Sequence, residues 1–273
     1  MLNKKELTEV LGLSCVEKYF LAWLKKKYDV KKLYGNSFVG ISQVFDDFSH
    51  GATYENYCYI PRLQDIAEDY GIVRHYYRSC VTEDAIKEIR AQGEDSLCLI
   101  RVNTRFFLNF KRASWREDHY ICVGKDLNWV NEYPLTEGKF NEAEFNRVYD
   151  GGLVVYKIED LENEVPDECT EAIGRQDFGK LPSISLKSFE SAIGVLRMTR
   201  KRLAMYYGGK AEVVKILKEE ISILDKLYLN TRLKQLQEVK GIKTHCTVGE
   251  ADMDKIIKCE KNLKEAIKWT EKR

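Results

Sequence analysis

The spacing of apolar residues changes partway along the chain, and this change limits the fold more than any other feature. Between about residues 60 and 158, short helical stretches alternate with short runs of β-branched and aromatic residues. Strands are predicted at 72–77, 96–102, 119–123, 129–133 and 151–158, and helices at 60–71 and 82–90. Pro61 suits a first helical turn, Gly71 a stop, and the start of 82–90 a cap. After Pro182 the period is helical throughout. Three helices are predicted at 185–207, stopped by Gly208 and Gly209, at 211–240, stopped by Gly241, and at 250–272. In the second of these, Val213, Val214, Ile216, Leu217, Ile221, Leu224, Leu227 and Tyr228 form one apolar stripe. Residues 159–182 are acidic and irregular. The pattern predicts an α+β chain with a mixed domain over 1–160, a linker over 161–182 and a helical C-terminal region over 183–273.

The residue best placed for chemistry is Cys15. It follows Gly12-Leu13-Ser14 and opens a segment whose apolar residues recur at Val16, Tyr19, Phe20, Trp23 and Leu24, the spacing of a helix that buries one face. Cys15 then falls in the first turn, with Ser14 as N-cap. There the positive end of the helix dipole favours a thiolate, and backbone N–H groups can receive an oxyanion. A cysteine taken alone is more often a small buried hydrophobe, so the argument needs a partner.

His119 is that partner. The run from His119 to Val123 is strand-like, 124–128 reads as a tight turn, and Trp129 to Tyr133 reads as the returning strand. The fold-back brings Asn131 or Glu132 opposite His119, and either side chain can hold the imidazole in one tautomer. A one-residue slip of register exchanges the two. Cysteine, histidine and a polar orienting group are the requirements of nucleophilic acyl transfer.

Composition narrows the alternatives. The apolar share of 44% suffices for a packed core. No apolar run approaches the roughly 18 residues of a membrane span, and the polar opening lacks a secretory signal, so a cytoplasmic location without membrane association is expected. The eight cysteines include no CxxC pair, so no metal site is expected and most are read as reduced core thiols. The net charge of +1 hides an asymmetry: residues 1–182 carry −7 and residues 183–273 carry +8. The basic region reads as a solvated face or as a surface for an acidic protein or for the acidic first half; no nucleic-acid motif accompanies it, and no nucleic-acid partner is expected.

Other polar residues carry less. His50 lies in a loop beside Asp46 and Asp47, His75 lies within a strand, and His245 neighbours Cys246 in a loop where adjacent side chains rarely face each other. Phe106, Phe107, Phe110 and Trp115 stand among four basic residues just before His119. Core packing is their default, and lining of a substrate site is the functional alternative.

The order of Gly-Leu-Ser-Cys15 opening an apolar helix, an α/β middle, Asp-His119-Tyr-Ile-Cys-Val-Gly and Trp-Val-Asn131-Glu132-Tyr-Pro resembles papain-like cysteine enzymes. Within them it is most similar to the bacteriocin-leader-peptidase branch and its acyltransferase relatives from antibiotic biosynthesis, such as the butirosin-type acyltransferase. The resemblance covers about residues 8–158, and the helical tail is similar to that of the biosynthetic members. It implies a papain-like cysteine protease fold with a C-terminal helical extension, with Cys15 as nucleophile, His119 as base and acid, and Asn131 as orienting residue, Glu132 being the alternative. Two departures stand out. The glutamine that usually precedes the cysteine by six residues is Glu9 here, so backbone N–H groups, Asn36 or Gln43 must serve the oxyanion. The usual Asp-Pro after the hairpin is replaced by Asn131-Glu132-Tyr133-Pro134.

The resemblance implies amide formation from an acyl thioester presented on a phosphopantetheinyl acyl or peptidyl carrier protein, with an amine such as a diamine as acceptor and no bound cofactor. A peptidase or hydrolase of the same fold is the first alternative, and a non-catalytic carrier-binding module is the second.

Overall fold

The computed structural model describes residues 1–52, 62–107, 119–176, 178–179, 181–240 and 250–271. In chain order the elements are α1 (Lys4–Thr8), α2 (Cys15–Leu24), α3 (Lys31–Tyr34), a 3-10 turn (Gly35–Ser37), α4 (Ile41–Ser49), α5 (Leu63–Asp69), β1 (Val73–Ser79), α6 (Thr82–Ala91), β2 (Ser96–Val102), α7 (Thr104–Phe107), β3 (His119–Val123), β4 (Asn128–Glu132), β5 (Leu135–Lys139), α8 (Glu142–Val148), β6 (Tyr149–Ile158), α9 (Cys169–Gly174), α10 (Leu186–Tyr206), α11 (Ala211–Val239) and α12 (Glu250–Glu271). They gather into two compact units. One is Met1–Val30 with Leu63–Val165, and the other is Lys31–Arg62 with Pro166–Arg273.

The first unit is α+β, built on a six-stranded sheet in the order β1-β6-β2-β3-β4-β5 with antiparallel pairing. Its central strand β2 is buried on both faces, which explains the uninterrupted apolar run Leu97-Cys98-Leu99-Ile100. Cys98, Ile100, Ile121, Val123, Leu153 and Val155 share one core with α6 and α8. On the other face α2 packs against β2, β3 and β4, and Phe20 of α2 meets Tyr156 of β6 at a ring separation of 5.3 Å. The expectation that α2 buries one face is corrected. Residues Tyr19 to Leu24 are all buried, because α1 and α5 cover the sides that the sheet leaves open.

The second unit is helical. Val39, Ile41, Val44, Phe45 and Phe48 from the early segment pack with Phe189, Ile193 and Leu196 of α10, Leu224 of α11 and Ile256 of α12. The stretch expected as a linker contributes to this unit as well. Cys169 and Ile173 of α9 are buried with Leu203, Leu217 and Leu263. At the centre Arg200 is wholly buried and reaches Glu220, Glu260 and the Val39 carbonyl. Among the described residues, no helix is long and apolar enough to cross a membrane.

Candidate active site

Cys15 is the first residue of α2, half-buried and not in a disulfide. Ser14 holds extended backbone angles, and its Oγ accepts the Glu17 N–H at 3.1 Å, as an N-cap should. The Lys18 N–H closes the first helical hydrogen bond onto the Ser14 carbonyl at 3.0 Å. The N–H groups of Cys15 and Val16 thus lie in the first turn, at the electropositive end of the helix.

Two residues that the sequence reading passed over shape the loop before Cys15. Glu17 is buried, and it accepts the Leu13 N–H at 2.6 Å through Oε2 and the Leu63 N–H at 3.2 Å through Oε1. One carboxylate therefore ties this loop to the start of α5 inside the first unit. Gly12 lies so close to α2 that a Cβ on it would stand 2.7 Å from Lys18 backbone atoms. Only glycine lets the loop fold against the helix in this way. A glutamate in the second position after Ser14-Cys15 was the available signal for the first contact, whereas the second depends on tertiary approach.

The hairpin supplies the histidine. Cys122 pairs with Val130 and Val123 with Trp129, so strand alternation puts His119 and Asn131 on one face. Their side chains meet: His119 Nε2 lies 2.7 Å from Asn131 Oδ1, and Asn131 Nδ2 donates to the Pro134 carbonyl at 2.9 Å. An amide oxygen can only accept, so Nε2 carries a proton and the lone pair of the neutral imidazole sits on Nδ1. Asn131 is fully buried. Glu132, the alternative orienting residue, instead lies 3.6 Å from Lys18 Nζ.

The contacts of Glu132 also anchor the helix that Cys15 heads. Its N–H donates to Tyr19 Oη at 2.9 Å. Lys18 and Tyr19 follow Cys15 by one helical turn on its own side of α2. The turn bearing Cys15 is thereby docked on β4 at Glu132, while α2 packs along β3, which begins at His119. Burial, followed by the charge of a Cys15 thiolate, raises the Tyr19 phenol far above its ordinary range, so Tyr19 remains a neutral prop.

Several other described thiols are buried. Burial pushes Cys98, Cys122 and Cys169 each up to about 12, in keeping with core thiols. Glu9, at the position of the expected glutamine, accepts from Lys25 Nζ at 2.9 Å, and that hydrogen bond and charge lower its pKa. Asn36 and Gln43 lie in the second unit, where Asn36 Nδ2 donates to the Pro166 carbonyl at 3.0 Å.

The aromatic residues before His119 separate. Phe107 packs against the core, its default reading: it meets Trp129 at 4.9 Å and Phe140 at 6.0 Å, because the single turn α7 points it at the sheet. Phe106 is exposed, with the Arg147 guanidinium 5.1 Å from its ring centre. Phe110 and Trp115 lie outside the described residues. His50 and His75 serve local contacts, the first to the Asp46 carbonyl at 2.9 Å and the second to Glu68 at 2.6 Å. The first unit also has a cavity of about 290 Å³, at the end of α2 remote from Cys15, lined by residues including Trp23, Lys27, Gln92 and Cys98.

No protein-family model matches the chain, and no curated protein matches it.

Proposed function

We propose that the chain is a papain-like cysteine acyltransferase that forms an amide from a carrier-bound acyl thioester and an amine through a Cys15 acyl-enzyme. The observation that carries this reading is the 2.7 Å His119–Asn131 pair on a hairpin against which α2, headed by Cys15, is packed. With its proton held at Nε2, the imidazole offers Nδ1 as base. Nδ1 takes the Cys15 proton as Sγ attacks the thioester carbonyl. Backbone N–H groups at the start of α2 receive the developing oxyanion. Collapse breaks the thioester C–S bond, and the imidazolium returns the proton to the leaving thiolate. In the second half the amine attacks the acyl-enzyme, His119 accepts its proton, and collapse releases the amide and Cys15.

Hydrolysis shares every step up to the acyl-enzyme. The choice of an amine over water rests on the resemblance of the Cys15 and His119 segments to the acyltransferase relatives of the leader peptidases. The net charge of +8 over residues 183–273 suits an acidic carrier.

Intact-mass measurement after mixing with a panel of acyl N-acetylcysteamine thioesters tests the proposal. Wild type should gain one acyl group, Cys15→Ala none, and a diamine should discharge the adduct to an amide faster than water does. Discharge by water alone would make the protein a hydrolase. Failure of Cys15 both to acylate and to react with iodoacetamide would refute the catalytic reading.

A further inference from the structure

The longest helix buries one stripe and exposes another. On α11 the residues Val213, Leu217, Glu220, Leu224, Leu227 and Thr231 are buried, with alternating spacings of four and three. Beyond Thr231 no described residue of α11 is buried, yet the helix continues to Val239, about 12 Å further. A second seam runs along this end. Leu229, Leu233 and Leu236 are 61%, 58% and 54% exposed, and Val239 is 87% exposed. Lys226, Leu229, Leu233 and Leu236 stand at i, i+3, i+7 and i+10, the a and d positions of a heptad seam, and Lys240, the cap residue just past the helix end, follows at i+14. Arg232 flanks it. None of Lys226, Arg232 and Lys240 forms an ion pair among the described residues, and Arg232 bonds only the Tyr228 hydroxyl.

We propose that this seam is a docking site for an acidic amphipathic helix of a partner protein. Leucines at three consecutive seam positions on a solvent face leave apolar surface that an apposed helix would remove from water. The lysines choose the partner. In a parallel pair of two copies Lys226 would face Lys226 and Lys240 would face Lys240; in an antiparallel pair Lys226 would face Lys240. Either arrangement sets like charges together at both ends of the seam, so self-association is opposed. A partner with apolar residues at its centre and Asp or Glu opposite the two lysines satisfies both features. This inference does not depend on the chemistry of Cys15.

The test uses the full chain and two fluorescein-labelled helical peptides with the same leucine seam, one flanked by Glu and one by Lys. Fluorescence anisotropy should show the Glu-flanked peptide binding about tenfold more tightly. Leu233→Ser, at an exposed position, should weaken it roughly tenfold, with an unchanged circular dichroism melt. The double variant Lys226→Glu/Lys240→Glu should reverse the preference between the two peptides. Equal binding of both peptides, binding of neither, or indifference to Leu233→Ser overturns the proposal. So does a dimer in sedimentation velocity that Leu233→Ser abolishes, since the occupant would then be a second copy.

Discussion

Asn131 accepts from His119 Nε2 and, through the same amide, donates to the Pro134 carbonyl, so the imidazole is held by a group that is itself held. Asn131→Ala should slow acylation of Cys15 about 100-fold, the scale of a roughly 1 Å misplacement. It should also cost about 1 kcal/mol of stability, because the Pro134 carbonyl loses one donor but keeps the Thr136 hydroxyl at 3.1 Å. Asn131→Asp keeps the acceptor and adds negative charge, so it should move the pH dependence of Cys15 alkylation upward. A pH profile identical to that of wild type would mean that Asn131 does not tune the imidazole.

Thiol reactivity should divide along the same lines as burial. With values near 12, Cys98, Cys122 and Cys169 are almost wholly protonated at pH 8. Cys15 stands half-buried at a helix start. Peptide mapping after brief iodoacetamide treatment should find Cys15 modified first among the described cysteines, and His119→Ala should slow that modification. If Cys80, half-buried beside the Tyr149 hydroxyl, is labelled faster than Cys15, the helix start is not activating the thiol.

Gly12 and Glu17 set the position of Cys15 without belonging to the proposed dyad. Gly12→Ala places a methyl group against Lys18 backbone and should cut acylation at least as much as it lowers the melting temperature. Glu17→Ala leaves the Leu13 and Leu63 N–H groups without their acceptor and should destabilise the first unit by about 2–4 kcal/mol. Urea melts and single-turnover acylation, measured on each variant, separate the two effects.

The buried carboxyls around Arg200 predict a pH dependence of stability. Burial, and then the charge of Glu260, raise the Glu220 carboxyl well above its ordinary 4.5, against the pull of Arg200. Between that ordinary value and the raised one, the folded chain holds a proton that the unfolded chain has released. This contribution to stability is therefore complete below about pH 4.5 and is lost as pH rises through the raised value, at about 1.4 kcal/mol per pH unit for one proton. The urea midpoint should fall as pH increases across that window, and Glu220→Gln should flatten the decline. An equally steep decline in Glu220→Gln would assign the proton elsewhere.

Much of the site could be read from local pattern. Ser14 before Cys15, the apolar spacing of α2, and the turn between His119 and Asn131 are short-range features, and the structure has each of them. The choice between Asn131 and Glu132 was not local, since it depended on register. That Phe107 packs inward while Phe106 is exposed was not legible, because aromatic content does not reveal which side of a one-turn helix meets the sheet. The tail helices matched their expected spans within about two residues because glycines mark their ends. The partner of residues 39–48 was invisible, since nothing near Phe45 in sequence says that Phe189 packs on it at a ring separation of 5.8 Å.

That long-range pairing governs how the chain must be made. A ribosome delivers Val39, Ile41, Val44, Phe45 and Phe48 well before it delivers α10, α11 and α12, whose side chains cover them. Through that interval these residues have no native shelter, and the first unit can pair Met1–Val30 with Leu63–Val165 while the segment between them in sequence still awaits its cover. A chain terminated at residue 165 would never receive that cover and would carry five bare apolar side chains, each worth about 1.5–3 kcal/mol of burial. The basic tail is thus needed to complete a core begun near the N-terminus, and trimming it to isolate the sheet-bearing unit would yield an aggregating fragment.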